Sequence, residues 1–577
     1  MRIRLVTWLV TGIFLLLVFG LLNLEVIHGR AYRELGNKNC IRLVAQDGSR
    51  GRITDREGNI IADSRLSYDL MLLPQDAVQQ EKIILNASRI LHKSEKDLRD
   101  TFRKNYISSS VPVTIARNIS IKEAIALDEL KVDLPAIIVQ ANPIRRYPQG
   151  RLASHVLGYV GEIDRWRLTK LEDYGYKTKD IVGFGGVEEK YDYYLRQEEG
   201  GISFEVDHRG KFIRTLGFQP PANGKDIQLT LNIKIQKIAE EYLAGRRGCV
   251  VIMDPYTGEV LAMASSPGFN PAAFAEKNNS AISGLFNNPH SPLMNRAISA
   301  AYPPGSIFKL VVASAALETK KINPGTSFFC RGSTPVGRRE FKCWSTHGSQ
   351  NLLAAITHSC DVFFYKTGLL TGPQAIHDYA LKFGLARTTS FELPYEVPGF
   401  IPSALWRKIN KFKNWFDGDT ANLSIGQGDV LITPLQAARM TAIFANGGYL
   451  VTPYVVKSID GREVAAYQKK PEKLNLKKGT VERIREGLVN VVNDPTGTAS
   501  VLSGLAVSVA GKTGTAQAPP GQSHGWFTGF FPLQKPQYVI CVFLERGAAG
   551  YVACVVTKQI IQEMLNQNLI NSIPGLE

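Results

Sequence analysis

Leu5 to Leu24 (LVTWLVTGIFLLLVFGLLNL) is a run of twenty residues without a single charge. No other segment constrains the folding of this chain as strongly. As an α-helix rising about 1.5 Å per residue, it spans about 30 Å, the thickness of a bilayer's hydrocarbon core. Arg2, Arg4 and the amino terminus precede it, which predicts a cytoplasmic start. Everything after Glu25 is then expected outside. The alternative is a cleaved signal peptide. Against that, the flank NLEVIHGRAY offers no small-residue cleavage site. The run is therefore read as an uncleaved anchor. No second run of this length occurs, so a single span is expected.

The 577 residues suffice for two or three domains. With 44% hydrophobic and 21% charged residues, the chain can bury a full core. Its formal net charge of +16 points to anionic partners. Nucleic acid, anionic lipid and an acidic polymer all satisfy that charge. The sequence has no nucleic-acid motif and no dense basic run, which favours a membrane surface or an acidic wall. The seven cysteines are too few for a disulfide scaffold, and their number is odd. Cys249 and Cys541 lie in apolar, strand-like runs and read as small buried hydrophobes.

Along the chain, Gly51–Ala62 reads as two short strands around a turn. Residues 76–135 read as helical, with a polar break near Ser108–Ser110. Arg146–Gly150 is a loop. Gly183–Glu189 is a glycine loop opening a helix from Val187 to Leu195. Asp226–Leu231 alternates like a strand, and a helix follows through Leu243. Cys249–Met253 and Glu259–Ala264 flank Asp254-Pro255-Tyr256-Thr257-Gly258, a hairpin pattern. A last helix is expected from Val555 to Leu569. The main domain boundary is placed near residue 245. That gives an anchor over 1–24, a second domain over 25–245 and a third over 246–577.

Chemistry concentrates in Tyr302-Pro303-Pro304-Gly305-Ser306-Ile307-Phe308-Lys309, just before the helical run Leu310–Leu317. Ser306 and Lys309 are three apart at a helix start and share a face. A serine hydroxyl needs a base to become a good nucleophile, and a lysine with a lowered pKa can serve. This is the only S-x-x-K in the chain, but such a match arises by chance at this length. S-x-x-K acquires meaning beside S-x-N or S-x-D and K-T-G. K-T-G occurs at Lys366-Thr367-Gly368, inside a helical stretch, and at Lys512-Thr513-Gly514. The second runs into Thr515-Ala516-Gln517 as a strand, whose edge can bind an extended peptide. S-x-N occurs at Ser349-Gln350-Asn351 and S-x-D at Ser359-Cys360-Asp361. The latter lies between two helical runs, where a loop projects side chains into a cleft, and is preferred.

Over nearly its whole length the sequence resembles the class B penicillin-binding proteins. YPPGSIFK, SCDVFFY and GKTGTAQ are similar to that family's three active-site motifs in their usual order. MDPYTGEVLAMASSPGFNP, LSIGQGDVLITPLQAARMTAIFANGG and HGWFTGFFP resemble the surroundings of those motifs. RGRITDREGNIIA, RRYPQG and GFGGVEEKYDYYLR resemble its non-catalytic pedestal. The S-x-D variant and the cysteine-rich loop resemble the elongation-type branch, penicillin-binding protein 2. The resemblance implies an α+β chain with three parts. These are a single transmembrane helix, an elongated pedestal and a β-lactamase-like transpeptidase domain whose central antiparallel sheet is flanked by helices.

The resemblance also implies roles. Ser306 attacks the carbonyl between the terminal D-alanines of a stem peptide, and Lys309 is its base. Ser359 and Asp361 surround Lys309 and pass the proton on. Lys512 and Thr513 support that network and the substrate carboxylate. Gly514 completes the strand motif, and the N–H groups of Ser306 and Thr515 form an oxyanion hole. No cofactor is required. β-Lactams would bind covalently, and a membrane-embedded glycan polymerase of the SEDS class would be the partner. The place implied is the bacterial cytoplasmic membrane, with the catalytic domain outside.

Cys330, Cys343, His347 and Cys360 fall within one short window and make a Cys₃His set suited to zinc. Some members of the family bind zinc through this loop. A Cys330–Cys343 disulfide or free thiols are the alternatives. Trp344, Trp406 and Trp415 are expected to pack, Lys408, Lys411 and Lys413 to form a solvated face, and His524 to be structural. Other functions are also open: a division-type transpeptidase, a D,D-carboxypeptidase or β-lactamase, and a non-catalytic wall-binding scaffold or β-lactam sensor. The pedestal motifs argue against the hydrolases, and the intact Ser306, Lys309 and Lys512 against the scaffold.

Overall fold

A computed structural model describes residues 2–33, 41–74, 77–107, 112–134, 136–206, 212–465, 469–547 and 549–570. Cys40 and the break expected at Ser108–Ser110 lie outside them. Arg2–Leu22 is an α-helix that continues as a wider turn over Asn23–Ile27. Ile3–Ile27 is apolar enough to cross a membrane, and no protein buries it.

By contacts the chain divides into two compact units that interleave in sequence. One comprises Met1–Gly51, Ser64–Ile144 and Arg196–Gly224. The other comprises Arg52–Asp63, Arg145–Leu195 and Lys225–Glu577. Tyr147, Val156, Leu157, Val187 and Leu195 belong to the second unit's core. Arg145 and Glu188 form an ion pair of 2.7 Å within that core, with side chains 2% and 0% exposed.

The first unit has its own core, built on Leu70, Leu72, Ile83, Leu98, Ile115, Leu127 and Ile137. Its helices span Ala77–Leu91, Glu95–Asn105 and Ile121–Glu129. The expectation of helix throughout 76–135 is corrected at Val113–Ile119, which is a strand. Val113, Ile115 and Ile119 are buried there, and β-branched residues at alternate positions suit a pleat better than a helix. Ile41–Gln46, Gly200–Val206 and Phe212–Gln219 form a separate antiparallel sheet.

The second unit is organised by five antiparallel strands. These are β1 (Gly248–Met253), β2 (Val260–Ser266), β3 (Ala510–Ala516), β4 (His524–Phe531) and β5 (Tyr538–Leu544). Their order is β2-β1-β5-β4-β3, so β3 is an edge. Every residue of β1 and β4 is buried. That is why β1 reads as a continuous apolar run instead of an alternating one. Helices Ile233–Leu243, Pro434–Ala445 and Gly550–Asn566 cover the sheet. Pro434–Ala445 is buried along its whole length, and its start is fixed by a Thr433/Gln436 capping box. Cys249 and Cys541 are fully buried, as small core residues. The last helix starts at Gly550, five residues before the expected Val555. A tertiary contact fixes that start, because the Gly550 N–H donates to Thr515 Oγ1 at 3.0 Å.

The candidate active site

The nucleophile candidate stands on a turn made by its neighbours. Pro303 and Pro304 end regular structure, and Gly305 takes φ +58. A Cβ at Gly305 would come within 2.6 Å of the Thr515 carbonyl oxygen. Only glycine lets the turn approach β3 this closely. The Gly305 N–H donates to the Gly426 carbonyl at 3.0 Å, and Trp526 Nε1 donates to that of Pro303 at 3.0 Å. A 3₁₀ turn over Gly305–Phe308 then feeds helix α1 (Lys309–Glu318). Ser306 is half-buried at the turn, and its hydroxyl has no hydrogen-bond partner among the described residues.

Lys309 is fully buried. Its Nζ donates to Asp361 Oδ1 at 2.6 Å, to the Ser359 carbonyl at 2.8 Å and to Ser359 Oγ at 3.3 Å. Ser359 and Asp361 lie where α2 (Leu352–Thr357) gives way to α3 (Asp361–Thr371). Ser359 has φ +54, which a residue with a Cβ adopts only where surrounding contacts hold it. That conformation turns its carbonyl towards Lys309. Asp361 opens α3, where the helix dipole favours a carboxylate.

Lys512 lies on β3 and is also fully buried, with Nζ 3.3 Å from the Thr513 carbonyl. Burial, and then the nearby Lys309 charge, hold its amine well below the usual lysine range. Thr513 Oγ1 shares a 2.8 Å hydrogen bond with Thr498 Oγ1. Thr515 is exposed at the cleft, and its carbonyl accepts from Gln427 Nε2 at 3.5 Å. A Cβ on Gly514 would fall 2.8 Å from the Pro304 carbonyl, so this glycine too permits close packing.

The rejected motif copies sit elsewhere. Lys366 is on α3, over the Phe328 ring at 5.5 Å. Ser349 and Asn351 are on a short strand, and Asn351 caps α2. Thr498 and Gln427 were not singled out from sequence. Gln427 had a signal in its two flanking glycines, Gly426 and Gly428, which both take left-handed φ in the structure. Thr498 had none.

The cysteine cluster adjoins this site. His347 Nδ1 is 3.6 Å from Cys330 Sγ and 3.5 Å from Cys343 Sγ. With Cys360, all four ligand atoms lie within 4.8 Å of one another. Zinc bonded at about 2.3 Å to sulfur and about 2.0–2.1 Å to nitrogen, at tetrahedral angles, sets S and N about 3.5 Å apart. The donor set therefore fits zinc. Hydrogen bonds from Cys360 and from backbone N–H groups push the Cys343 thiol down to about 3, and Cys360 is raised in return. The Asp361 N–H donates to Cys343 Sγ at 3.2 Å, which ties the cluster to the residue holding Lys309. The cysteines among the described residues are free thiols.

The side chains expected to be structural are engaged. Trp344 Nε1 donates to the His358 carbonyl, Trp406 packs on Phe400 and Trp415 Nε1 donates to Thr420. Lys408, Lys411 and Lys413 are exposed, and on that face Lys411 pairs with Asp429 at 2.6 Å. His524 Nδ1 accepts from the Arg546 backbone N–H at 3.1 Å.

Residues 248–565 match the penicillin-binding protein transpeptidase domain, and 45–229 the penicillin-binding protein dimerisation domain. The chain belongs to the class B penicillin-binding proteins. It is 32% identical over 568 residues to the peptidoglycan D,D-transpeptidase MrdA of Acinetobacter baumannii, covering 94% of this chain and 84% of that one. Among solved structures, the complex of PBP2 and MreC from Helicobacter pylori aligns with a TM-score of 0.81 at 28% identity. That alignment covers 92% of this chain and 99% of that one. A structure described as coordinating polymerization and crosslinking in a peptidoglycan synthase complex aligns at 0.73 with 28% identity. It covers 99% of both chains.

Proposed function

We propose that this chain is a membrane-anchored, elongation-type peptidoglycan D,D-transpeptidase acting through a Ser306 acyl-enzyme. The observation that carries this reading is the convergence on Lys309. Its amine meets Ser359 and Asp361 one turn behind a half-exposed Ser306, beside the edge strand that bears Lys512. Ser306 Oγ attacks the carbonyl between the two terminal D-alanines, and Lys309 takes its proton. Ser359 and Asp361 relay that proton to the amine of the departing D-alanine as its C–N bond breaks. The N–H groups of Ser306 and Thr515 receive the oxyanion. An amine from a neighbouring stem peptide then displaces Ser306 and completes the cross-link.

Lys512 and Thr513 meet the substrate carboxylate. An arriving carboxylate offsets the burial that disfavours the Lys512 cation, so its charge is coupled to binding. β-Lactams stop at the acyl-enzyme. Residues 25–245 act as the pedestal and 246–577 as the catalytic domain. Arg2 and Arg4 keep the start of the chain cytoplasmic, with the catalytic domain outside. The likeness to a synthase complex supports a SEDS-class glycan polymerase as partner.

After exposure of the full-length protein to penicillin, peptide mass mapping is expected to find one adduct, on Ser306. An adduct elsewhere, or none on folded protein, would sink the reading. Cys330, Cys343, His347 and Cys360 hold a structural zinc in the same proposal, supported by their sulfur-to-nitrogen spacing. When bound it braces the loop that carries Ser359 and Asp361. Purified protein is expected to carry about one zinc, and Cys343→Ser to lose most of it. Unchanged metal content would remove Cys343 from the set.

A further inference from the structure

Helix α4 (Ala404–Lys411) has apolar side chains on two faces. On the inner face the Trp406 ring lies 4.6 Å from that of Phe400. On the outer face Leu405, Ile409 and Phe412 follow one another at helical spacing and are 67%, 58% and 90% exposed. Phe412 ends the helix at φ +52, a position that glycine fills at lower cost. Neither that turn nor the core calls for an aromatic ring there. Lys408 lies three residues after Leu405 and four before Phe412, so it borders the same stripe. Lys408 and Lys413 are exposed and make no ion pair among the described residues. The outer face is therefore apolar, basic and uncovered.

Two ion pairs brace α4 against the catalytic cleft. Lys411 Nζ meets Asp429 Oδ1 at 2.6 Å. Asp429 is two residues from Gln427, whose side-chain amide reaches the Thr515 carbonyl. Arg407 meets Asp419 at 2.9 Å, on helix α5 (Asp417–Ser424). That helix packs on α3, which opens with Asp361. Ahead of α4, Phe400 pairs with Leu431, and the next residue, Ile432, pairs with Tyr302, four positions before Ser306. The helix is thus fixed to the loop at Thr515, to the support of Asp361 and to the approach of Ser306. Its outer face stands beside the cleft.

A transpeptidase takes two peptides, and the three motifs account for one. The donor lies along β3. The acceptor must bring an amine to the Ser306 ester, and its own stem also ends in a carboxylate. An acidic peptide with apolar side chains complements a basic, apolar face. Leu405 to Phe412 covers about 10 Å along the helix, the length of about three extended residues. A lipid surface also suits such a helix. The reaction, however, gives only the acceptor a reason to be held beside Thr515 and Asp361.

We propose that the outer face of α4, with Phe412, Lys408 and Lys413, is the docking surface of the acceptor stem peptide. The inference rests on the transpeptidase reading and deepens it by giving the second substrate a site. From there the acceptor amine forms its bond to the acyl carbon as the ester bond to Ser306 Oγ breaks, and the amine's proton passes to that Oγ.

The test uses full-length protein in detergent, acylated from an N-blocked D-alanyl thioester. Two amines compete with water for the acyl-enzyme. One is D-alanine, too small to reach α4 from the ester. The other is the N-acetylated acidic tripeptide Glu-Lys-D-Ala, whose lysine side chain supplies the amine. Lys408→Glu combined with Lys413→Glu, and Ile409→Ser combined with Phe412→Ser, are each expected to raise the tripeptide concentration that captures half of the acyl-enzyme by about tenfold. That is the scale of one charge-assisted contact or one buried apolar side chain. Capture by D-alanine, hydrolysis and labelling by penicillin are expected to stay near wild type. Thermal midpoints check the folding of both variants. Unchanged tripeptide capture in both variants, an equal loss with D-alanine, or a wild type that does not use the tripeptide would overturn the docking surface. Wild type that is acylated by neither the thioester nor penicillin would overturn the transpeptidase reading instead.

Discussion

Ser306→Ala is expected to abolish covalent labelling by penicillin without changing the thermal midpoint of the protein. The hydroxyl has no partner among the described residues, so its removal costs the fold little. It also supplies the only oxygen proposed to form the ester. Lys309→Ala is expected to slow labelling by about 10²–10⁴-fold, the usual worth of a positioned general base. Lys309 is fully buried and binds three oxygens, so its loss also strands Asp361 and Ser359. Lys309→Met fills most of the space and separates the two effects, because a packing defect recovers and a missing base does not. Residual labelling of Ser306→Ala at the wild-type rate would remove Ser306 as nucleophile.

Glu188→Ala is expected to destabilise the second unit by about 3–5 kcal/mol, because it removes the carboxylate 2.7 Å from the buried Arg145 guanidinium. Tyr147 also donates to Glu188, at 3.4 Å, and loses that acceptor. The matching control is Asp226→Ala. It breaks the Arg52–Asp226 pair, whose side chains are 60% and 40% exposed, and the screened pair is worth at most about 1 kcal/mol. Denaturant titration of both variants gives the comparison. Equal, small losses would show that the Arg145–Glu188 pair does not hold the 145–195 segment in the core. Both residues lie within or beside motifs that read, from sequence, only as pedestal signatures.

Much of the fold was legible because it depends on near neighbours. The 20-residue apolar run, the continuous apolar strands β1 and β5 and the Asp254–Gly258 turn are local patterns. The structure keeps all of them. Val113–Ile119 was misread because helices flank a seven-residue strand whose burial alternates only over Val113–Ile115. The start of the last helix was misplaced because Thr515, far along the chain, caps it.

The site shows the same division. Motif order and flanks selected Ser359 over Ser349 and Lys512 over Lys366, since helix and strand settings are written locally. Sequence alone determined the apolar N-terminal run, the family and the candidate side chains. Only the tertiary structure decided what each touches. It brought Lys309 to a serine held at φ +54, Thr513 to Thr498 and the Cys343 sulfur to the Asp361 N–H. The physical reason is distance along the chain. Periodicity and capping act over a few residues, whereas burial of a lysine or a shared strand register is set by segments tens to hundreds of residues apart, and no short motif records them.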